Sequence, residues 1–74
     1  RSSDLNLFDD RIKTIRKIFT NKISIRIKKA TKDIIVNECL LNNLGVRQLN
    51  KIINEKIYNN ILMAHLNGDK RILL

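Results

Sequence analysis

Seventy-four residues at 8.7 kDa make one domain at most, and a chain this short buries only about 60% of its unfolded surface, which excludes a Rossmann or P-loop nucleotide domain and any two-domain enzyme with a cleft. Fifteen Lys and Arg against seven Asp and Glu give a net charge of +8, which suits nucleic acid or an acidic partner. Thirteen Ile, ten Asn and nine Lys are residues of A/T-rich codons, so genomic bias alone would raise the basicity.

Leu5, Phe8, Ile12, Ile15 and Phe19 recur at three- and four-residue steps and predict a helix. Arg11, Lys13, Arg16 and Lys17 lie off its apolar stripe. Asp4 is the expected cap, Asp9 and Asp10 favour the positive helix start, and the helix should end near Asn21. Ile23, Ser24, Ile25, Arg26 and Ile27 then alternate strictly, as in a half-buried strand. A second helix follows with Ile34, Ile35, Cys39 and Leu40 on its inner face, joined by Ala30.

Asn42-Asn43-Leu44-Gly45 is the clearest break, because Asn and Gly tolerate turn geometry. Beyond it Val46, Leu49, Ile52, Ile53, Ile57, Ile61, Leu62 and Leu66 return to helical spacing, with Asn59-Asn60 as a point of division. Asn67-Gly68-Asp69 ends that run, and Ile72-Leu73-Leu74 begins a strand. The order is helix, strand, helix, helix or helix pair, strand. It predicts a single α/β (α+β) domain over residues 1–74, with three to four helices on a small β-sheet.

No constellation carries catalysis. The single histidine, His65, lies on an apolar helix, and the single cysteine, Cys39, reads as a small buried apolar residue. One cysteine excludes an internal disulfide and a multi-cysteine zinc site. Asp9-Asp10 read as solvated helix-start charges, and Gly45 and Gly68 alone make no phosphate loop. No apolar run approaches the roughly 18 residues of a membrane span, and no signal-peptide pattern opens the chain. The chain begins without Met, and Arg1-Ser2-Ser3-Asp4 reads as a boundary within something larger.

Lys28-Lys29 with Lys32, and Arg16-Lys17, could neutralise phosphates. Only Phe8, Phe19 and Tyr58 could stack on bases, and they do not interleave with those charges. A free-standing basic nucleic-acid-binding domain and an adaptor for acidic partners through Lys28, Lys29 and Lys32 therefore stand as alternatives to the following resemblance.

From Ile23 to Asp69 the chain resembles, without gaps, a module of the Clp AAA+ unfoldases and chaperones of the ClpB and ClpC type. Leu44-Gly45-Val46-Arg47-Gln48-Leu49 is similar to that family's Tyr-Gly-Ala-Arg-Pro-Leu motif. The alternating segment Ile23–Ile27 falls where the family has a strand, Asn50–Ile57 resembles its basic-apolar helix, and Leu66-Asn67-Gly68-Asp69 resembles its Leu-x-Gly-Glu ending. The family's Gly-Tyr-Asp-Pro is replaced by Cys39-Leu40-Leu41-Asn42, its Pro after the arginine is Gln48, and its Asp-Pro-Leu is Asn59-Asn60-Ile61.

The resemblance implies the C-terminal small, or lid, subdomain of the second AAA+ module. ATP would be bound by a large subdomain of the parent protein, not by this chain alone. Arg47 would be the sensor-2 arginine reaching the nucleotide phosphates, because a permanently charged planar fork offsets phosphate charge. Gly45 and Val46 would bring backbone amides and the positive helix end close to the nucleotide. The implied partners are the large subdomain, neighbouring subunits of a hexamer, a Clp peptidase and client proteins, with no membrane and no nucleic acid. Joined to the Ile, Asn and Lys skew, the family resemblance extends to plastid-encoded ClpC-type proteins of apicomplexan parasites. That implies the apicoplast stroma, with the cytoplasm of an A/T-rich bacterium as the alternative.

Overall fold

The computed structural model describes residues 2–43 and 45–74, with side chains from Asn6 onward. The side-chain expectations for Asp4 and Leu5, and all those for Arg1 and Leu44, lie outside the described residues. Helix α1 (Ser2–Ile18) already contains Asp4, so that residue does not precede the helix as a cap. Its apolar stripe is the predicted one: Phe8, Ile12 and Ile15 are buried, and Phe19 just beyond the helix continues them. The helix ends at Ile18, before Asn21, which adopts a left-handed conformation (φ 66°) and turns the chain. Asn is one of the few residues that enters this region at low cost.

Strand β1 (Ser24–Arg26) is shorter than the five-residue alternation, but Ile23 and Ile25 are buried as that alternation requires. It pairs in parallel with β2 (Arg71–Leu73), in the register Ser24↔Arg71, Ile25↔Ile72 and Arg26↔Leu73. The amide of Ser24 donates to the Lys70 carbonyl at 2.9 Å, and that of Leu74 to the Arg26 carbonyl at 2.8 Å. In a parallel pair alternate residues turn their backbone groups to the partner, so those of Ile25 point to the other edge. There the Arg16 guanidinium donates to the Ile25 carbonyl at 2.6 Å, supplying a partner where a third strand would otherwise stand.

Helix α2 (Lys29–Leu41) buries Ile35, Val36 and Cys39. The expected inner face is corrected on both flanks: Ile34 is 64% exposed, Leu40 is 37% exposed, and Ala30 is exposed. Ile34 and Val36 each sit about 100° from Ile35 around the helix, so only one of them can share its buried side. Packing against α1 and the following helix falls on the Val36 side.

The long apolar run forms α3 (Val46–Ile53), a π-helical segment (Asn54–Tyr58) and α4 (Asn59–Leu66). The backbone stays helical throughout, with Ile53 at φ −61°, ψ −43° and Asn59 at φ −62°, ψ −38°. Asn59-Asn60 is therefore no break; what changes is the hydrogen-bond pattern one turn earlier. Leu49, Ile53, Ile57 and Ile61 are spaced by four and are 2%, 0%, 0% and 0% exposed. In an α-helix four residues overshoot a full turn by about 40°, so three such steps would drift by about 120°. The wider i→i+5 turn takes up more residues per turn and keeps these four in line. Val46 and Leu66, at the two ends of the predicted stripe, face outward.

Three backbone bonds close α4: Asn67 N to Met63 O, Gly68 N to His65 O and Asp69 N to Ala64 O, each at 3.0 Å. With Gly68 at φ 86° this is a Schellman ending, which seats a residue without Cβ strain in the left-handed region. Gly68→Ala is expected to cost about 1 kcal/mol and to lower the thermal midpoint by about 4–8 °C, as read by circular dichroism melts. The core joins all these elements, and Phe8, Ile15, Ile35, Ile53, Ile57 and Ile61 are its most enclosed large side chains. Cys39 packs among them, and no charged side chain is buried among the described residues.

Candidate functional site

The connection between α2 and α3 is anchored before it reaches the predicted site residues. The Asn42 side-chain amide donates to the Glu38 carbonyl at 2.8 Å, and the Asn43 amide donates to that of Leu40 at 3.3 Å. Asn43 itself is left-handed, at φ 54°. Gly45 then stands as the cap residue of α3 in extended backbone, φ −86° and ψ −177°, and its carbonyl accepts the Leu49 amide at 3.0 Å. Gly45, Val46 and Arg47 are thus brought together at the entrance of a helix with no acid in its first turn.

Arg47 is exposed, and its side chain makes no hydrogen bond or ion pair with any described residue. Beneath it α3 is fixed by Leu49, Ile52 and Ile53, and at its far end Arg11 Nη2 donates to Asn54 Oδ1 at 2.9 Å. The guanidinium therefore projects from a rigid element. Large apolar groups surround the same connection: Leu41 is 85% exposed and Val46 52%. Gly45 has a conformation open to any residue, and a Cβ there would meet nothing within 4 Å. The domain's own packing supplies no reason for glycine at this position.

The other candidates take structural roles. His65 is half-buried, edge-on to Phe19 with ring centroids 6.0 Å apart, and Phe19 also tilts against Tyr58 at 5.7 Å. These rings pack on one another and offer no stacking platform. Asp9 pairs with Lys32 at 2.8 Å, while Asp10 contributes its backbone carbonyl to the Thr14 hydroxyl at 3.2 Å. Among the described residues no three of His, Cys, Asp and Glu are grouped to hold a metal ion. The basic run Lys28, Lys29 and Lys32 stood out in the sequence; the structure adds a groove of about 540 Å³ that brings Lys13 and Arg16 of α1 to it. Its members come from two separate stretches, and only the packing of α1 beside the start of α2 joins them.

No curated protein and no solved structure gives a significant match to the chain. One family model does, that of the C-terminal, D2-small domain, of ClpB protein, and it covers residues 7–72. The match takes in most of α1 as well as the Ile23–Asp69 region on which the resemblance was read. Strand β1, helices α2 to α4, the first two residues of β2 and the Gly45–Arg47 helix entrance fall inside it. The chain belongs to this family: it is the small, lid-type subdomain of a Clp-type AAA+ chaperone.

Proposed function

We propose that this subdomain covers the ATP site of its parent protein, with Arg47 as the sensor-2 arginine on the nucleotide phosphates. The supporting observation is the geometry of Arg47: an exposed cation, without a side-chain partner among the described residues, on the first turn of a helix packed into the core. A guanidinium left free of local carboxylates keeps all its donors for an incoming phosphate. Gly45 and Val46 add the positive helix end beside it. The apolar surface of Leu41 and Val46 suits a covering large subdomain. In this reading neighbouring subunits of a hexamer, client proteins and a Clp peptidase complete the assembly, and ATP drives unfolding of the client.

The test is Arg47→Ala in the intact AAA+ protein, with ATP affinity and turnover as readouts. Gly45→Ala adds a second. Because the added methyl meets nothing within the domain, stability should stay within about 0.5 kcal/mol. ATP turnover in the intact protein should nonetheless fall, because the methyl would stand where nucleotide or large subdomain approaches. Unchanged turnover in Gly45→Ala would remove the close approach from this reading.

The skew towards Ile, Asn and Lys supports a plastid-encoded parent working in the apicoplast stroma. Reading the DNA upstream of Arg1 checks both points, since an in-frame Walker A motif in an A/T-rich plastid genome is the expected result.

A further inference from the structure

We propose that the groove between α1 and the start of α2 binds an acidic segment of a partner polypeptide, seated by an aliphatic side chain. Its floor is apolar, built from Phe8, Ile12 and the half-buried Ile27. Its rim is cationic: Lys13 and Arg16 on one side, Lys28 and Lys29 on the other. Lys32 closes one end, with Nζ 2.8 Å from Asp9 and 5.8 Å from the centre of the Phe8 ring. Five cations against the single carboxylate of Asp9 leave four positive charges around one concavity.

The placement of three of these cations at a helix start works against the domain's own stability, with only Lys32 offset by its pairing with Asp9. Lys28, Lys29 and Lys32 stand at the positive end of the α2 dipole, where carboxylates belong. Lys28 provides no capping side chain, and the first turn of α2 contains no acid. A codon bias towards Lys scatters cations over a surface; it gives no reason for them to ring an apolar floor at a helix start. A carboxylate-bearing ligand offsets both the mutual repulsion and the uncapped helix end.

The lining selects a polypeptide over a nucleic acid. Base recognition needs an exposed ring, but Phe8 is 2% exposed and Phe19 and Tyr58 pack on one another. An apolar floor with a cationic rim matches an apolar anchor flanked by Asp and Glu. A second copy of this domain, at +8, would be repelled, so the acidic segment does not come from another copy of these 74 residues. The groove is separate from Arg47, and the inference does not depend on the nucleotide reading.

The experiment titrates the isotope-labelled 74-residue chain with a synthetic peptide of Asp and Glu residues around a central Leu-Leu pair, followed by amide chemical shifts. Saturable shifts at Lys13, Arg16 and residues 27–32 are expected, weakening as salt rises. Replacing the Leu pair with Ser-Ser should weaken binding about tenfold. The double variant Lys28→Glu, Lys29→Glu should weaken it at least tenfold and also raise the melting temperature by about 2–4 °C, because acids now occupy the helix start. That rise shows that lost binding is not lost folding. Any one of three results overturns the proposal: no saturable shift, equal binding of the Ser-Ser peptide, or unchanged affinity in the double variant. Tighter binding of a single-stranded oligonucleotide to the same amides would assign the groove to nucleic acid instead.

Discussion

Ile53→Ala is expected to remove about half of the domain's net stability. Ile53 is 0% exposed, at the end of α3 where that helix packs against α1 and α2. Removing three carbons there takes away their burial and leaves a cavity that a turn committed to π-helical bonding is poorly placed to fill. Such truncations cost about 2–5 kcal/mol. A domain of this length has only about 4–10 kcal/mol of net stability, at the usual yield per residue. Urea denaturation should show the midpoint falling by about 2–5 M, taking a slope near 1 kcal/mol per molar. Ile34→Ala is the matching control: the same chemistry at a position 64% exposed should move stability by less than about 0.5 kcal/mol. Comparable losses in the two variants would contradict the burial assigned to α2 and α3.

Arg47→Ala should do the reverse, sparing the fold and damaging the activity. The side chain is exposed and touches no described partner, so the melting temperature should hardly change. In the intact AAA+ protein the loss of a positioned cation from phosphate oxygens should reduce ATP turnover by about 100-fold. Arg47→Lys separates charge from shape. A point charge retains part of the attraction, while the two-pronged hydrogen bonding of the guanidinium is lost, so an intermediate defect is expected. If ATP binding, hydrolysis and client unfolding all survive Arg47→Ala, the sensor-2 assignment is wrong.

The parts of the fold legible in the sequence were those with one strong period. The stripe Phe8, Ile12, Ile15 and Phe19 is the one continuous apolar row on its helix, with only Leu7 and Ile18 apolar to its side, so this face turns inward. The alternation around Ile25 similarly left one choice of face. In α2 the run Ile34-Ile35-Val36 offered two adjacent faces of equal hydrophobicity, and only contact with α1 and α3 selected Val36 over Ile34. The π turn follows from the four-residue spacing of Leu49, Ile53, Ile57 and Ile61, yet that spacing is also compatible with an ordinary helix and a wandering stripe. Arg47 was legible through a short motif in sequence order. The cationic groove was legible only in part: Lys28, Lys29 and Lys32 form one run, but Lys13 and Arg16 join them from the other side of a strand.

The pairing of β1 with β2 joins residues that are far apart in the chain, Ser24 with Arg71 and Arg26 with Leu73. Everything between them is helix and loop, and the two strands have no other strand to lean on among the described residues. Loop closure over such a separation must come before the sheet contributes anything. For a nascent chain emerging from the ribosome, α1, α2 and α3 can gather around Phe8, Ile35 and Ile53 while Ile25 still lacks its neighbour. The final stitch waits for Ile72. The sheet can therefore close only after Arg71–Leu73 have been made, which puts β1 among the last elements to find its partner.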